Sequence, residues 1–323
     1  MRRRNRHRAN RGGIGVTAEP APDGGCIEDR VGGQPDETAV ATPTATESQS
    51  EVRRAITHVS AVAGVEYRLA IRSLWAFALA GLFALFGAML LTVSGSAVGP
   101  DGVERVIASL ASLSVYLVPL AALAFGYDAV VGREEQGWFD VVFALPVSRA
   151  RVVVGTYLGR ALVLAGAVVV GFGFTGILLY REYGVAVVAA GAFPTFLAAT
   201  VALGIAFLSI ATLLSTVAGE KTHALGLALL VWVWFVLIHD LLALGLVAAF
   251  SLPDPALTAL LVANPTSVFR VLVLSTLGTT AGGGFTAAMA GTGLSQDLLG
   301  VALLAWCVVP LAVATKLVAR RRL

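Results

Sequence analysis

The sequence predicts an all-α membrane protein that crosses the bilayer six times. Of its 323 residues, 57% are hydrophobic and only 13% are charged, and the mean hydropathy is +0.82. Soluble globular chains carry about a quarter charged residues, so this composition argues against an ordinary soluble fold. Six separate apolar stretches are also long enough to cross roughly 30 Å of hydrocarbon, which takes about 20 residues.

The first part of the chain differs from the rest. It opens with MRRRNRHR and continues through Gly, Pro, Thr, Ser and Glu without a periodic apolar face. Such a segment cannot bury enough surface to offset the entropy of ordering it. We therefore expect a disordered cytoplasmic tail at residues 1–52 and a transmembrane domain at 53–323. No apolar run follows the arginines closely, which argues against a secretory signal.

The six spans are predicted from the apolar windows, and the segment before them is predicted to be amphipathic. Apolar residues at positions 56, 59, 62 and 65 favour a helix in the cytoplasmic interface. The alternative is that these residues form the first turns of one long first helix. The predicted spans are about 74–93, 107–130, 153–180, 193–217, 224–250 and 298–318.

Orientation follows from the distribution of Lys and Arg near the span ends. They concentrate before the first span, in the second-to-third connection and at the C-terminus, whereas the other connections hold few. Basic residues favour the cytoplasmic side, so both termini are predicted to be cytoplasmic in a multi-pass cytoplasmic-membrane protein. An even number of spans agrees with this.

The second-to-third connection, residues 133–149, combines charges with apolar anchors. Trp138, Phe139, Val142 and Leu145 fall on one helical face, and Pro146 ends the helix. A short amphipathic helix of this kind suits docking into a groove on a soluble partner. The alternative is that it lies on the membrane surface and touches only lipid or the chain's own helices.

This region resembles the coupling region of type-two ABC exporter permeases. The match covers residues 128–160, with Leu145-Pro146-Val147-Ser148-Arg149 at its centre and Gly137 before it. The chain departs from the family pattern at Trp138, where Thr is usual, and has Arg160 near the usual Lys. The resemblance implies a six-helix permease that works as a homodimer with a separate ABC ATPase. It implies ATPase-coupling contacts at Glu134, Glu135, Trp138, Phe139 and Arg149.

Two shorter motifs narrow the resemblance. Glu66-Tyr67-Arg68, before the first span, resembles the entry helix of that family, and Asn264-Pro265 with Phe269-Arg270, after the fifth span, resembles its NosY branch. The branch implies a permease that supports copper and sulfur metallocentre maturation of nitrous-oxide reductase, with a NosF-like ATPase and an extracytoplasmic, β-helical NosD-like protein. The external-partner candidates are then Asn264, Pro265, Phe269 and Arg270.

Those candidates lie in a long predicted external segment, residues 251–296. Its apolar run at 268–277 is too short to span the bilayer and predicts a re-entrant or interfacial helix. Such a segment either meets the external partner or forms a lid over the permease's own helices.

The chain lacks the G-x-x-x-x-G-K-[ST] loop that cradles nucleotide phosphates. We therefore expect a transporter subunit that is not itself an enzyme and binds no cofactor, with ATP used by the partner ATPase. Its basic residues form no single stripe, so nucleic acid is not expected as a partner.

Four ionisable residues inside or near the spans are further candidates, since such groups cost free energy in hydrocarbon unless they are paired or wetted. Asp128 and Arg160 either form an ion pair or serve transport. His239 and Asp240 either line the transport path or make interhelical hydrogen bonds; being adjacent, they point about 100° apart and form no metal-binding face by themselves. No metal site is predicted, because the soft ligands are scattered. Copper conduction is unsupported, and a sulfur-containing or other small cargo remains open.

Alternative functions remain at this point. An ABC permease exporting a different substrate would share most of these features. A non-ABC membrane scaffold or channel would need no ATPase at the 133–149 loop. An intramembrane enzyme is disfavoured because neither H-E-x-x-H nor a Ser/His arrangement is evident.

Overall fold

The computed structural model describes residues 45–94, 102–135, 148–184, 191–277 and 295–320, and within these ranges it contains helices and no strand. The predicted all-α class is confirmed. Before the first span lies α1 (Ala45–Arg72), and the helices that follow up to the fourth span are α2 (Trp75–Ser94), α3 (Gly102–Gly126), α4 (Val131–Glu134), α5 (Arg149–Tyr183) and α6 (Ala192–Val217). The remaining helices are α7 (Lys221–Val233), a π-helix (Trp234–Ile238), α8 (His239–Ala249), α9 (Asp254–Val262), α10 (Pro265–Thr276) and α11 (Gln296–Arg320).

Within the described ranges, 6 helical segments are long and apolar enough to cross a membrane, as the sequence predicts. The first is α2, the second is α3 with α4, and the third and fourth are α5 and α6. The fifth is continuous through α7, the π-helix and α8, and the sixth is α11. Each observed span lies within a few residues of its predicted window because the length of the apolar run sets it.

The second, third and fourth spans form the centre of the bundle. They supply most of the fully buried large side chains, including Leu110, Leu164 and Phe207. Aromatic contacts join the first span to this centre: the ring centroids of Phe83 and Phe172 lie 5.3 Å apart, and those of Phe172 and Phe196 lie 5.4 Å apart. The first and fifth spans are the least buried.

The amphipathic helix α1 is separate from the first span. The helical conformation is interrupted at Ser73 and Leu74, and Leu74 has a positive φ of 62°. The alternative of one long first helix is therefore wrong. The buried face also differs from the predicted stripe, because Ala63 and Glu66 are buried whereas Ile56 and Val65 are exposed.

Two glycines allow α1 to approach α5 closely. A Cβ at Gly155 would lie 2.7 Å from Val62 Cβ, and one at Gly159 would lie 2.7 Å from the carbonyl oxygen of Ala63. Real side chains do not tolerate such distances, so these positions need glycine for the observed packing. The small residues at the start of the third span thus form the surface on which α1 packs.

After the fifth span, α9 and α10 form a helix pair bent by 107°. Pro265 begins α10, where a missing backbone N–H costs nothing, and the Asn264 side chain accepts a hydrogen bond from the Thr266 backbone N–H. Most of α10 is buried against α3, α6 and α11. The pair has the shape of a re-entrant hairpin, and its position in the membrane remains a prediction.

Candidate functional site

Five ionic side chains meet at the end of the bundle that carries the 133–149 loop; we call them the charge cluster. They come from α1, the end of the second span, α5 and the start of α7. The cluster consists of Glu66, Asp128, Arg133, Arg160 and Lys221.

Glu66 is the buried anion of the charge cluster. Its carboxylate pairs with the Arg133 guanidinium, and the second carboxylate oxygen lies 3.7 Å from Arg160 Nε. Arg133 also donates a hydrogen bond of 2.9 Å to Thr156 Oγ1 on α5. One glutamate therefore connects α1 to both α4 and α5.

Arg160 ties α5 to the end of the second span. Its Nη1 donates to Asp128 Oδ1 at 2.6 Å and to the Phe125 carbonyl oxygen at 2.6 Å. The ion pair, one of the two alternatives for Asp128 and Arg160, is therefore present in the structure. Arg160 Nη1 thus also satisfies the Phe125 carbonyl in the last turn of α3, which has no partner within the helix.

The fifth span joins the charge cluster through its first residue. Lys221 Nζ lies 3.5 Å from Asp128 Oδ2, and the backbone N–H of Lys221 donates to Glu135 Oε1 at 2.7 Å. A carboxylate at the start of α7 compensates both an unpaired N–H and the positive end of the helix dipole. The turn before Glu135 is held by Ser215 Oγ, which accepts from the N–H groups of Val130 and Val131.

The predicted ATPase-coupling residues fall partly within the described structure. Glu134 ends α4, Glu135 contacts the fifth span as described above, and Arg149 begins α5. Trp138 and Phe139 lie outside the described residues. Their contact with an ATPase therefore stays a prediction.

A second set of polar groups, which we call the polar cluster, lies further along the fifth span. From Lys221 to Asp240 a helix rises about 28 Å, at 1.5 Å per residue. The π-helix at Trp234–Ile238 frees the Phe235 carbonyl oxygen, which accepts from Asn264 Nδ2 at 2.8 Å and from Thr266 Oγ1 at 3.2 Å. The bend between α9 and α10 is thereby fixed to the fifth span.

Asn264 organises the rest of the polar cluster. Its Oδ1 accepts from the Thr266 backbone N–H and from Thr266 Oγ1, which fixes the orientation of the amide. Its Nδ2 then faces His239 Nδ1 at 3.1 Å. Within the described residues, His239 Nε2 is buried without a hydrogen-bond partner.

Asp240 attaches the fifth span to α10 through one ion pair and one hydrogen bond. Its Oδ2 accepts from Arg270 Nη1 at 2.8 Å, and its Oδ1 accepts from Ser267 Oγ at 3.0 Å. The structure thus unites two sets of residues that sequence reasoning kept apart, the membrane-embedded His239 and Asp240 and the external-partner candidates. For His239 and Asp240 it shows the interhelical hydrogen bonding that was one of the two alternatives.

The external-partner candidates are engaged inside the chain. Asn264, Pro265 and Phe269 are buried, and the partly exposed Arg270 is paired with Asp240. A contact between these residues and an external protein stays a prediction. Among the described residues, no group of three or more His, Cys, Asp or Glu side chains is placed to hold a metal ion.

Comparison with known proteins gives one consistent result. The sequence model of the ABC-2 family transporter proteins matches residues 60–323. A probable ABC transporter permease protein NosY of Pseudomonas aeruginosa is 36% identical over 258 residues, which cover 78% of this chain and 94% of that protein. One of the same name from Stutzerimonas stutzeri is 35% identical over 267 residues, with 78% and 94% covered. The chain belongs to the ABC-2 family of transporter proteins and is a multi-pass, Nos-type permease subunit of an ABC transporter.

Proposed function

We propose that two copies of this chain form the membrane part of a transporter that supports maturation of the copper- and sulfur-containing centre of nitrous-oxide reductase. Each copy binds a NosF-like ATPase on the cytoplasmic side, where both chain termini lie. A NosD-like β-helical protein meets the external side. The identity of more than a third to the NosY protein of Pseudomonas aeruginosa, over most of its length, supports this branch.

The observation that carries the coupling part of the proposal is the charge cluster beside the 133–149 loop. Arg133, two residues after the start of α4, contacts Glu66 on α1 and Thr156 on α5. Glu135, within the first part of that loop, contacts the first residue of the fifth span. A partner that moves this loop therefore acts on three other helices through short polar contacts.

The proposed mechanism follows from that arrangement. ATP binding closes the two ATPase subunits, and each moves the coupling loop that is seated on it. Charge-assisted hydrogen bonds are short and directional. A displacement of α4 is therefore transmitted directly to α1 and α7. The ATPase supplies phosphate chemistry, and this chain supplies the lever and the transmembrane path.

The residues present favour a cargo other than a bare copper ion. A copper path needs closely spaced soft ligands such as Cys and Met. The described residues hold no group of three or more His, Cys, Asp or Glu side chains placed to bind a metal ion, and the Cys307 thiol donates to the Ala202 carbonyl oxygen at 3.4 Å. A sulfur-containing or other small cargo needs no such relay of metal ligands.

Docking is tested by purifying the chain with its ATPase after replacing both Trp138 and Phe139 by Ala. We expect the ATPase to be lost from the complex and transport-linked ATP hydrolysis in lipid to fall to the level of the ATPase alone. A matched control replaces Phe174 and Tyr180, two exposed aromatic residues on α5, by Ala. Retention of the ATPase by the Trp138 and Phe139 variant would refute the docking assignment.

The Nos-type role is tested separately in cells that lack the chain. We expect nitrous-oxide reductase from those cells to be deficient in its metal–sulfur centre and the intact chain to restore it. Normal enzyme in the deficient cells, with an ATPase still bound to the purified chain, would show a permease for another substrate.

A further inference from the structure

We infer that the charge cluster binds the headgroup of an anionic phospholipid from the inner leaflet. A cavity of about 510 Å³ opens beside the cluster, between α1, α2, the end of the second span and the start of α7. Its charged part is formed by the charge cluster, and its apolar part includes Val65, Leu69 and Trp75. The inference rests on the proposed orientation, with the 133–149 loop on the cytoplasmic side, and does not depend on the cargo or on the ATPase.

The charges that line the cavity are complementary to one phosphodiester. Arg133, Arg160 and Lys221 contribute three positive charges, and Glu66 and Asp128 contribute two negative charges. The balance is a single positive charge, which matches the single negative charge of a phosphatidylglycerol headgroup. A zwitterionic headgroup has no net charge and gains less from this field.

Lys221 is the residue best placed to meet the phosphate. Its side chain is 41% exposed, and its one ion pair within the described residues, with Asp128, is long at 3.5 Å. Its ammonium group has three donors, so donors remain for a ligand. Arg160, by contrast, already donates two bonds of 2.6 Å within the chain.

The apolar part of the cavity separates a lipid from a free phosphate ion. Val65, Leu69 and Trp75 are exposed on the outer surface of the chain, where an acyl chain can reach them. Tryptophan is enriched at the depth of lipid headgroups. The first span continues from Trp75 with an exposed apolar face that includes Phe77 and Leu85. A phosphate in the cavity is thereby continuous with a surface for hydrocarbon.

The test uses the full chain with its ATPase, purified and placed in bilayer discs of phosphatidylcholine with increasing phosphatidylglycerol. Lipid retained by the complex is counted by native mass spectrometry. We expect the wild-type protein to retain phosphatidylglycerol in preference to phosphatidylcholine. Lys221→Gln should lower this preference about fivefold, which corresponds to about 1 kcal/mol for one basic residue near an anionic surface.

Two variants serve as controls. Lys221→Arg keeps the charge and should keep the preference. The chain has one other lysine, Lys316, which is exposed near the end of α11, so Lys316→Gln removes the same charge elsewhere and should leave the preference unchanged.

Several outcomes would overturn the inference. Wild-type protein without a preference for phosphatidylglycerol would do so whether or not any variant folds. An equal loss in the Lys221→Gln and Lys316→Gln variants would show a general surface effect. Displacement of the retained lipid by excess inorganic phosphate would show that the site recognises the free anion and not the lipid.

Discussion

The two clusters of polar side chains in this permease are built from different chemistry. The charge cluster contains five ionic side chains at one end of the bundle. The polar cluster contains one ion pair, Asp240 with Arg270, and is otherwise made of an amide, an imidazole, hydroxyls and a backbone carbonyl. Removing an ion from water costs several kcal/mol unless it is paired, and this cost is greatest in hydrocarbon. Ionic groups therefore concentrate at one end of the spans, whereas the cluster further along the fifth span relies mainly on neutral hydrogen bonds.

The two clusters should also lose different amounts of stability when one side chain is removed. Loss of one partner in the charge cluster leaves an uncompensated charge, whereas loss of the amide in the polar cluster leaves unsatisfied neutral acceptors. The first cost exceeds the second.

Glu66→Gln should produce the largest effect. The change leaves Arg133 without its buried anion and weakens the field at Arg160, so we expect a loss of about 3 kcal/mol in the free energy of unfolding, measured in detergent. Adding Arg133→Met should recover part of this loss because the unpaired charge is removed. Glu182→Gln, at an exposed position on α5, is the control. Equal stability of the Glu66 and Glu182 variants would contradict the assignment of Glu66 as the central anion.

Asn264→Ala should follow, with a loss of about 2 kcal/mol. The change leaves the Phe235 carbonyl oxygen dependent on Thr266 and removes the N-terminal cap of α10. Unfolding in detergent measures the effect. Ser275→Ala is the control, because the Ser275 hydroxyl is exposed, donates to a carbonyl one turn earlier and accepts only a long bond of 3.4 Å from Gln296 Nε2. A loss no larger than that of the control would show that the bent pair is held by apolar packing alone.

Gly159→Ala tests the surface of α5 on which α1 packs. This packing brings Glu66 of α1 into the charge cluster. The added methyl group meets the α1 backbone, and we expect a loss of about 1–2 kcal/mol from overpacking. Gly166 lies on the same helix with open space around it, so Gly166→Ala should be neutral or stabilising by up to about 1 kcal/mol. Similar unfolding free energies for the two variants would contradict close packing of α1 on α5.

Glu135→Gln should have the smallest effect, about 0.5–1 kcal/mol, because the contact is exposed and involves a single helix end. The loss should shrink as salt is raised, since ions screen exposed charges. Unfolding curves at low and high salt measure this. A loss that does not change with salt would mean that Glu135 acts by hydrogen bonding and not by its charge.

The sequence predicts the spans well because each depends only on the length of a local apolar run. It also offers the Asp128–Arg160 pair as one of two alternatives, since both residues sit near the same end of adjacent spans. It does not identify Glu66, Arg133 and Lys221 as partners of that pair, because they come from segments far apart in the chain. The available signal was a glutamate on the buried face of α1, and that face differs from the apolar stripe read from the sequence.

The polar cluster was harder to predict for a different reason. Asn264-Pro265 is a local signal for a helix start, and α10 begins there. The π-helix has no comparable signal, because the carbonyl it frees is stabilised by Asn264 and Thr266, nearly 30 residues later. The 107° bend that brings those residues back to His239 is a tertiary feature. Residues assigned to two different roles therefore proved to be one set.

The central claim is that the loop beside the charge cluster faces the cytoplasm, where an ATPase can move it. Cysteine labelling of intact cells with a membrane-impermeant maleimide tests this most directly, in a chain whose two native cysteines are replaced by Ser. Asp254→Cys, at the start of α9, should be labelled on intact cells, and Trp138→Cys only after the membrane is opened. Labelling of Trp138→Cys on intact cells would contradict the account.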